Sequence, residues 1–337
     1  MSKSSLKIAV AGAGSIGCYI GGRLAASGAS VTLLLRPWLK EQLDEHGIHI
    51  SHLHETRDSN PASLSWVTDP ACLQTADVIL ITVKSGATEA IAQTILEYAR
   101  PKTTVVSLQN GVDNLPKLKR ILSNFKVVGG MVPYNVVQLG GGRFKQATAG
   151  EVWFGEGGED VAKTFDQLGL PTRYHDDIEA VHWGKLLLNL NNPIQALSGI
   201  TLKDELSKRE FRMVLAGAID EALAVYKAVG IEPVAVTKIP VTWLPTALRL
   251  PDWIFSRVAK STLDVDPAAK SSMWEDLQKG RKTEIEQING VIVRLAVQHS
   301  LSVPINKRLV DAIHAAESGG MQVMKAKEML LGPVDRP

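Results

Sequence analysis

The sequence has little cysteine, little net charge and no long apolar run near its start. Its 337 residues include two cysteines, Cys18 and Cys72, far apart and without a C-x-x-C pair, so neither a disulfide framework nor a thiolate metal site is indicated. The 37 basic and 35 acidic residues are spread along the chain, which argues against a nucleic-acid or acidic-lipid partner. The first apolar run, residues 8–14, is too short and too glycine-rich for a signal sequence or a membrane span. We therefore expect an ordinary globular protein of the cytoplasm.

The first half of the chain alternates short apolar runs with helical patterns. Four of the runs lack the in-out alternation of half-buried strands, as parallel strands covered on both faces do. They are L-K-I-A-V-A, S-V-T-L-L-L, A-D-V-I-L-I-T-V and T-T-V-V-S-L. Periodic stretches at 16–27 and 88–99 lie between them. The pattern predicts an α/β fold with an N-terminal Rossmann-type doubly wound parallel sheet.

The rest of the chain differs from this pattern. Glycine-joined segments at 131–156 predict an antiparallel meander on the sheet edge. After about Asp177 we expect an all-helical C-terminal domain, because only helical periodicity follows. The predicted helices are 178–197, 209–229, 282–299 and 307–330. The expected domains are residues 1–177 and 178–337, with an irregular excursion at 233–251, where four prolines occur.

A glycine-rich turn, G-A-G-S-I-G, follows the first predicted strand. Gly12 permits a tight turn, Gly14 lets a pyrophosphate approach the backbone, and Gly17 allows close helix packing. Ser15 and Ile16 open the next helix, whose N–H groups and partial positive charge suit phosphates. The turn predicts a dinucleotide site. The alternative is a tight turn that binds nothing.

The end of the second strand indicates which dinucleotide would bind. It reads L-L-L-R-P, and no acidic residue lies in 28–40. An NAD site usually has Asp or Glu there for the ribose 2′-hydroxyl, whereas Arg36 suits a 2′-phosphate. NADP(H) is therefore the predicted cofactor, unless Arg36 only ends the strand in solvent. Lys84 in V-K-S and Asn110 in Q-N-G also follow strands, where open α/β sheets bind ligands, although each could be an ordinary surface or turn residue.

The segment K-L-L-L-N-L-N-N-P, residues 185–193, carries polar groups on an apolar helix. At about 100° per residue, Lys185, Asn189 and Asn192 fall within roughly 60° of one another. Reduction of a carbonyl needs an acid, and desolvation lowers the pKa of an ammonium toward neutrality while a nearby carboxylate opposes the shift. Lys185 is the predicted general acid, and His182, one turn earlier, is the rival.

A second polar cluster lies at 271–290, across a helix start and the following helix. Its members are Ser272, Asp276, Glu284 and Asn289. The alternative interpretation is an N-cap serine followed by a solvated charged face.

Six motifs in a fixed order resemble those of one enzyme family. The glycine loop, V-K-S, Q-N-G, W-G-K-L-L-L-N-L-N-N-P, S-S-M-W-E-D and T-E-I-E-Q-I-N-G resemble the ketopantoate reductase (2-dehydropantoate 2-reductase) family over essentially the whole chain. The resemblance implies NADPH-dependent reduction of 2-dehydropantoate to pantoate, on the route to pantothenate and coenzyme A. It also implies a Rossmann domain followed by a helical domain, with the active site in the cleft between them.

The same resemblance implies roles in the helical domain. Lys185 matches the family's general acid, and Glu284 matches its substrate-anchoring carboxylate. Asn189 and Ser272 match polar residues that hold the 2-keto acid, with Ser272 near its carboxylate. Asn192 is a further substrate-binding candidate, although many members have this asparagine eight residues after the lysine rather than seven.

For the first domain, the resemblance implies cofactor contacts. Lys84 and Arg36 match such contacts, and Asn110 matches an asparagine that lies between the cofactor and the catalytic lysine. Two departures bear on the substrate: Ala87 stands where a glutamine often follows the cofactor lysine, and the excursion at 233–269 lengthens the helical domain.

Other hypotheses remain open. The run H-G-I-H-I-S-H-L-H, residues 46–54, could suggest a metal site, but on a strand only His52 and His54 share a face with His46, and no metal is predicted. Rival functions are a related NADP-dependent 2-keto acid reductase or β-hydroxyacid dehydrogenase of different substrate, and a non-catalytic NADP(H) sensor. The expected partner is a small 2-keto acid, without nucleic acid or membrane, and a homodimer is left open.

Overall fold

The computed structural model describes residues 6–52, 61, 63–258, 270–320 and 323–331. The chain divides into two units, one through Glu179 and one from Ala180. Among the residues described, no helix combines the length and the apolar character needed to cross a membrane.

The first unit alternates strands and helices. In chain order its elements are β1 (Lys7–Ala11), α1 (Ser15–Ala26), β2 (Ser30–Leu34), α2 (Pro37–His46), β3 (His49–Ser51), β4 (Leu64–Val67), β5 (Val78–Ile81), α3 (Thr88–Tyr98), β6 (Thr104–Ser107), α4 (Asn114–Ile121), β7 (Lys126–Met131), β8 (Val136–Gly140), β9 (Arg143–Gln146), β10 (Val152–Phe154), α5 (Glu159–Gln167) and β11 (Thr172–Tyr174). Short 3-10 turns lie at Pro70–Thr75 and Ser85–Ala87.

Eight of these strands form one sheet in the order β11-β10-β7-β6-β5-β1-β2-β4. The six from β7 to β4 are parallel, and their order is that of the Rossmann fold. β10 then pairs antiparallel with β7, and β11 pairs parallel with β10. The predicted doubly wound parallel sheet is confirmed.

Burial on both faces explains why the central strands lack alternation. In β1, Ile8 and Val10 belong to one hydrophobic core, and Ala9 and Ala11 belong to another. Successive side chains point to opposite faces of a sheet, so the two cores cover opposite faces of β1.

The predicted edge meander is partly wrong. β8 and β9 form an antiparallel hairpin, but together with β3 they make a separate three-stranded sheet. Gly142 has φ +67°, and a Cβ there would lie 2.0 Å from the carbonyl oxygen of Gly47, so only glycine permits this approach to the start of β3. β10 is instead part of the main sheet.

Among its described residues the second unit contains helices and no strand, as predicted. Its elements are α6 (Ile178–Asn189), α7 (Asn192–Ser198), α8 (Leu202–Ser207), α9 (Arg209–Val229), α10 (Leu244–Leu248), α11 (Asp252–Val258), α12 (Ser272–Gln278), α13 (Asn289–Gln298), α14 (Pro304–Ala315) and α15 (Ala326–Leu331), with 3-10 turns at Val241–Trp243 and Ile285–Gln287 and a π-helical turn at Ala316–Gly320. α6 begins just before the boundary between the units.

The predicted helix 209–229 agrees with α9, whereas the other three predicted helices are interrupted. Segment 178–197 contains α6 and α7, because Pro193 has no N–H to donate to the carbonyl of Asn189 and its ring would clash there. Segment 282–299 starts with a 3-10 turn, and α13 begins only at Asn289. Segment 307–330 is broken after α14 by the π-helical turn, in which Gly319 has φ +90°.

The proline-rich excursion packs against α9 through one buried arginine. The guanidinium of Arg212 donates to the carbonyl oxygens of Leu248 at 3.0 Å and Leu250 at 2.7 Å, and it pairs with Asp252 at 2.8 Å. These bonds fix α10 and the start of α11 against α9. The rest of the excursion, 259–269, lies outside the described residues.

Candidate active site

The glycine turn of the first unit is tightly packed on one side and open on the other. Gly12 has φ +74°, and a Cβ there would lie 1.9 Å from Cγ1 of Val83. A Cβ on Gly17 would lie 2.4 Å from Oγ1 of Thr82. Gly14 differs, because a Cβ there would meet no atom within 4 Å. The turn therefore needs glycine for packing at two positions and leaves open backbone at the third.

Gly14 is also the N-cap of α1, whose first turn contains Ser15 and Ile16. No side chain caps this helix end, and no acidic residue occupies its first turn. The N–H groups of a helix start carry partial positive charge and bind phosphate oxygens. The open side of the turn thus has the chemistry of an anion site.

The other cofactor candidates follow neighbouring strands. β2, β1, β5 and β6 are adjacent and parallel, so their carboxyl ends lie at one edge of the sheet. Arg36, the exposed N-cap of α2, follows β2; the exposed Lys84 follows β5; and the half-buried Asn110 follows β6. The structure brings all three to the edge where the glycine turn lies. In open α/β sheets this is the ligand edge, at the point where the strand order reverses.

Buried polar side chains hold two of these loops together, and two of them, Thr88 and Asn114, were missed by the sequence interpretation. Nδ2 of Asn114 lies 2.8 Å from Oγ of Ser85 and 2.6 Å from the carbonyl oxygen of Asn110. Oγ1 of Thr88 lies 2.8 Å from Oδ1 of Asn114 and accepts from Nε2 of Gln109 at 2.8 Å. Polar groups buried this way must be bonded, so the network fixes the loops after β5 and β6 relative to each other. The one available signal was spacing, since Asn114 follows Asn110 by four residues.

In the second unit, Lys185 and Asn189 lie one turn apart on the same side of α6. Burial lowers the pKa of Lys185 to about 8, and the carboxylate of Glu284 opposes part of that shift. Glu284 is half-buried and immediately precedes the 3-10 turn Ile285–Gln287. The structure therefore places the predicted carboxylate close enough to the predicted acid to raise its pKa. An amine with this pKa can both hold and release a proton near neutral pH.

The predicted single stripe of Lys185, Asn189 and Asn192 is wrong in one respect. α6 ends at Asn189, and Asn192 is the first residue of α7, for the reason given above for Pro193. Asn192 thus lies on a separate helix. Asn191, at the joint, is buried, and its Nδ2 lies 3.4 Å from Oε2 of Glu205.

The two serines at the start of α12 have different positions. Ser271 is the buried N-cap, and its Oγ accepts from the backbone N–H of Trp274 at 3.2 Å. Ser272 is the first residue of the helix and is exposed. The N-cap interpretation therefore applies to Ser271 and leaves the hydroxyl of Ser272 available for a ligand.

The other members of this cluster and the rival acid are buried. Asp276 and His182 are buried in their helices. Asn289 is fully buried, and its Nδ2 donates to Oδ1 of Asn306 at 3.0 Å, which joins α13 to α14. Asn289 is thus structural.

A carboxylate that sequence reasoning missed supports the segment before Glu284. The backbone N–H of Thr283 donates to Oε1 of Glu317 at 2.7 Å, and Lys282 pairs with Glu317 at 3.0 Å. Glu317 lies on the π-helical turn Ala316–Gly320. No local pattern in the sequence indicates this pairing, because 34 residues separate its partners.

The histidine-rich run does not form one strand. His46 ends α2, His49 begins β3, and Nδ1 of His52 lies 2.7 Å from the hydroxyl of Tyr19. His54 lies outside the described residues. Across the parts of the chain that are described, no group of three or more His, Cys, Asp or Glu side chains is arranged to hold a metal.

Comparison with known proteins gives the family. Residues 8–159 match the family model for ketopantoate reductase PanE/ApbA, and residues 177–317 match the model for the C-terminal part of that family. The chain belongs to the ketopantoate reductase family. The predictions of this family and of an oxidoreductase are confirmed.

Members of the ketopantoate reductase family resemble the chain along its length. A 2-dehydropantoate 2-reductase of Archaeoglobus fulgidus is 27% identical over 93% of this chain and 98% of the relative. A ketopantoate reductase structure from Ralstonia eutropha JMP134 is 28% identical, has a TM-score of 0.79 and covers 94% of this chain and 100% of that one. The fold is also shared by D-mandelate dehydrogenase, solved with NADH and anilino(oxo)acetate, at 23% identity, a TM-score of 0.76, and 93% and 99% coverage.

Proposed function

We propose that the protein reduces 2-dehydropantoate (ketopantoate) to pantoate with NADPH, as a cytoplasmic step on the route to pantothenate and coenzyme A. The observation that carries the proposal is the buried Lys185, whose pKa of about 8 is raised by the charge of Glu284 and which lies one helical turn from Asn189. The relatives named 2-dehydropantoate 2-reductase, at 27% identity over nearly their full length, support this substrate.

The first unit would hold the cofactor. Gly12, Gly14 and Gly17 form a turn whose open backbone fits a pyrophosphate at the start of α1, with Ser15 and Ile16 in the first turn. Arg36, exposed after β2 without an acidic neighbour in 28–40, suits a 2′-phosphate, which favours NADPH over NADH. Lys84 and Asn110 would be further contacts, held in place by the buried network behind them. When bound, NADPH supplies a hydride to C2 of the keto acid.

The second unit would supply the proton and hold the substrate. The ammonium of Lys185 donates a hydrogen bond to the C2 carbonyl oxygen and transfers its proton there as negative charge develops, so that the product is the 2-hydroxy acid. The lysine amine then takes a proton from solvent. The carboxylate of Glu284 keeps the ammonium form populated near neutral pH and accepts a hydrogen bond from the substrate. Asn189, Asn192 and Ser272 carry neutral polar groups that can form hydrogen bonds with the hydroxyl and carboxylate of the keto acid. No further charged side chain has to be buried for this.

A reductase for another 2-keto acid is the second candidate. D-mandelate dehydrogenase shares the fold at 23% identity, so the fold alone does not determine the substrate. The start of the excursion contacts α6, the helix that carries Lys185, because the backbone N–H of Val234 donates to the carbonyl oxygen of Ala180 at 2.9 Å.

A panel of keto acids tests the proposal. Oxidation of NADPH and of NADH would be followed at 340 nm with ketopantoate, pyruvate, 2-ketoisovalerate and phenylglyoxylate. We expect the highest kcat/KM for ketopantoate with NADPH. A higher kcat/KM for another keto acid would favour the second candidate, and NADPH binding without any turnover would favour a sensor.

A further inference from the structure

A fully buried glutamine joins the two helix starts that carry Asn192 and Ser272. Gln195 lies on α7 and is 0% exposed. Its Oε1 accepts from the backbone N–H of Ser271 at 3.0 Å and from Oγ of Ser271 at 2.8 Å. Its Nε2 donates to the carbonyl oxygen of Ile200. Both the oxygen and the nitrogen of the amide are bonded within the protein, and the side chain is fully buried.

Ser271 provides a second connection between the starts of α7 and α12. Its Oγ lies 3.2 Å from the carbonyl oxygen of Asn192 as well as capping α12. Ser271 thus contacts Asn192, the first residue of α7. It also directly precedes Ser272, the first residue of α12. The contact between Gln195 and Ser271 thus links the start of α7 to the start of α12, next to both substrate candidates.

Neither helix could determine this spacing alone. α7 and α12 have seven residues each, which is below the length at which a helix is stable in isolation. The chain between them includes α8 to α11 and the excursion at 233–269, so the two helices are distant in sequence. Lys270 adds a neighbouring bond, from Nζ to the carbonyl oxygen of Gly199 at 3.3 Å.

We infer that Gln195 is a positioning residue that sets the spacing of Asn192 and Ser272, and through it the affinity for the carboxylate end of the 2-keto acid. The inference rests on the proposed function for the identity of the ligand. It goes beyond that function because none of the family motifs in the sequence includes Gln195, and its side chain would not touch the substrate.

The test compares single and double variants at the two ends of this contact. Gln195→Met keeps the volume and removes both polar ends, Ser271→Ala removes the hydroxyl, and Thr201→Ala is the matched control, since Thr201 caps α8 as Ser271 caps α12 but bonds Asp204 instead. We expect Gln195→Met and Ser271→Ala each to raise KM for the keto acid about tenfold, with kcat changed less than threefold and KM for NADPH unchanged, as for loss of uniform binding.

Three further comparisons separate positioning from stability. The double variant should raise KM no more than the larger single effect, because both changes break one contact. Gln195→Glu keeps acceptor oxygens for Ser271 and, when protonated, a donor for Ile200, so it should recover most of the wild-type KM. Thr201→Ala should lower Tm without raising KM.

Several results would overturn the inference. They are a wild-type KM in folded Gln195→Met, an equal rise of KM in Thr201→Ala, and additive effects in the double variant. If Gln195→Met does not fold, Ser271→Ala and Gln195→Glu decide the same question. If the wild type reduces no keto acid, the proposed function fails, but the positioning role of Gln195 can still be tested. Hydrogen exchange at the amides of Ser271 and Trp274 should then be faster in Gln195→Met than in the wild type. Unchanged exchange would show that Gln195 does not hold the start of α12.

Discussion

The carboxylate of Glu284 raises the pKa of Lys185, whereas burial lowers it more strongly. The net pKa of Lys185 is about 8. The two residues are 99 positions apart in sequence: Lys185 lies on α6, and Glu284 immediately precedes the 3-10 turn Ile285–Gln287. Desolvation alone would lower the pKa further and deplete the ammonium form at neutral pH. The pair therefore keeps Lys185 charged while leaving its proton transferable, which is the state a general acid needs.

This pKa predicts a pH dependence with a definite sign. Reduction needs the ammonium, so kcat in that direction should fall as pH rises through about 8, approaching a tenfold loss per pH unit above it. Oxidation of pantoate needs the neutral amine, so its rate should rise with pH through the same value. Steady-state rates from pH 6 to 10 in both directions measure this. Glu284→Gln removes the carboxylate and should move both limbs to lower pH; limbs that do not move would contradict the assigned pairing.

Arg36 should determine cofactor preference. Arg36→Glu places a negative charge where a 2′-phosphate would lie, so KM for NADPH should rise about 100-fold, or about 2.7 kcal/mol, while KM for NADH changes little. Arg120→Glu makes the same charge change at an exposed site on α4 and serves as the control. Equal effects of Arg36→Glu on the two cofactors would remove Arg36 from phosphate binding.

Glu205 predicts a pH-dependent stability unrelated to catalysis. It is 1% exposed, and burial raises the pKa of its carboxyl group well above the usual range. Because the folded pKa is the higher one, its contribution to stability is fully present below the unfolded value of about 4.3 and is lost as pH rises. Glu205→Gln should therefore raise Tm by a few degrees at pH 8, and the difference should shrink toward pH 4.5.

Thermal melts at several pH values test this prediction. Glu210→Gln, at an exposed position in the first turn of α9, is the control and should show no such gain. A Glu205→Gln variant less stable than wild type at pH 8 would mean that Glu205 is ionised in the folded protein.

Local sequence signals predicted the fold and many of the candidate residues. The runs around β1 and β5 could be interpreted because burial on both faces leaves no alternation, and α9 could be delimited because its period is unbroken from Arg209 to Val229. The break at Pro193 was missed because leucines continue the helical period up to it, so Asn192 was assigned to the wrong helix.

Long-range partners could not be predicted in this way. Gln195 and Ser271 are 76 residues apart, and Thr283 and Glu317 are 34 apart. Thr88 and Asn114 begin α3 and α4, and nothing in the sequence near either residue indicates that their side chains bond to each other. Periodicity shows which face of an element is buried, but it does not show which distant polar group completes a buried hydrogen bond. The side chains that hold candidate site residues in place were therefore found only in the structure.

The most direct test of the account is turnover by Lys185→Ala. With NADPH and ketopantoate, kcat should fall by about 10² to 10⁴ because the general acid is lost, while the Kd for NADPH, measured by its fluorescence, stays within about threefold of wild type. Lys185→Arg should be similarly impaired, since a guanidinium keeps the charge but does not release its proton. Lys203→Ala, at an exposed position on α8, should retain wild-type kcat. A Lys185→Ala enzyme with wild-type kcat would contradict the account.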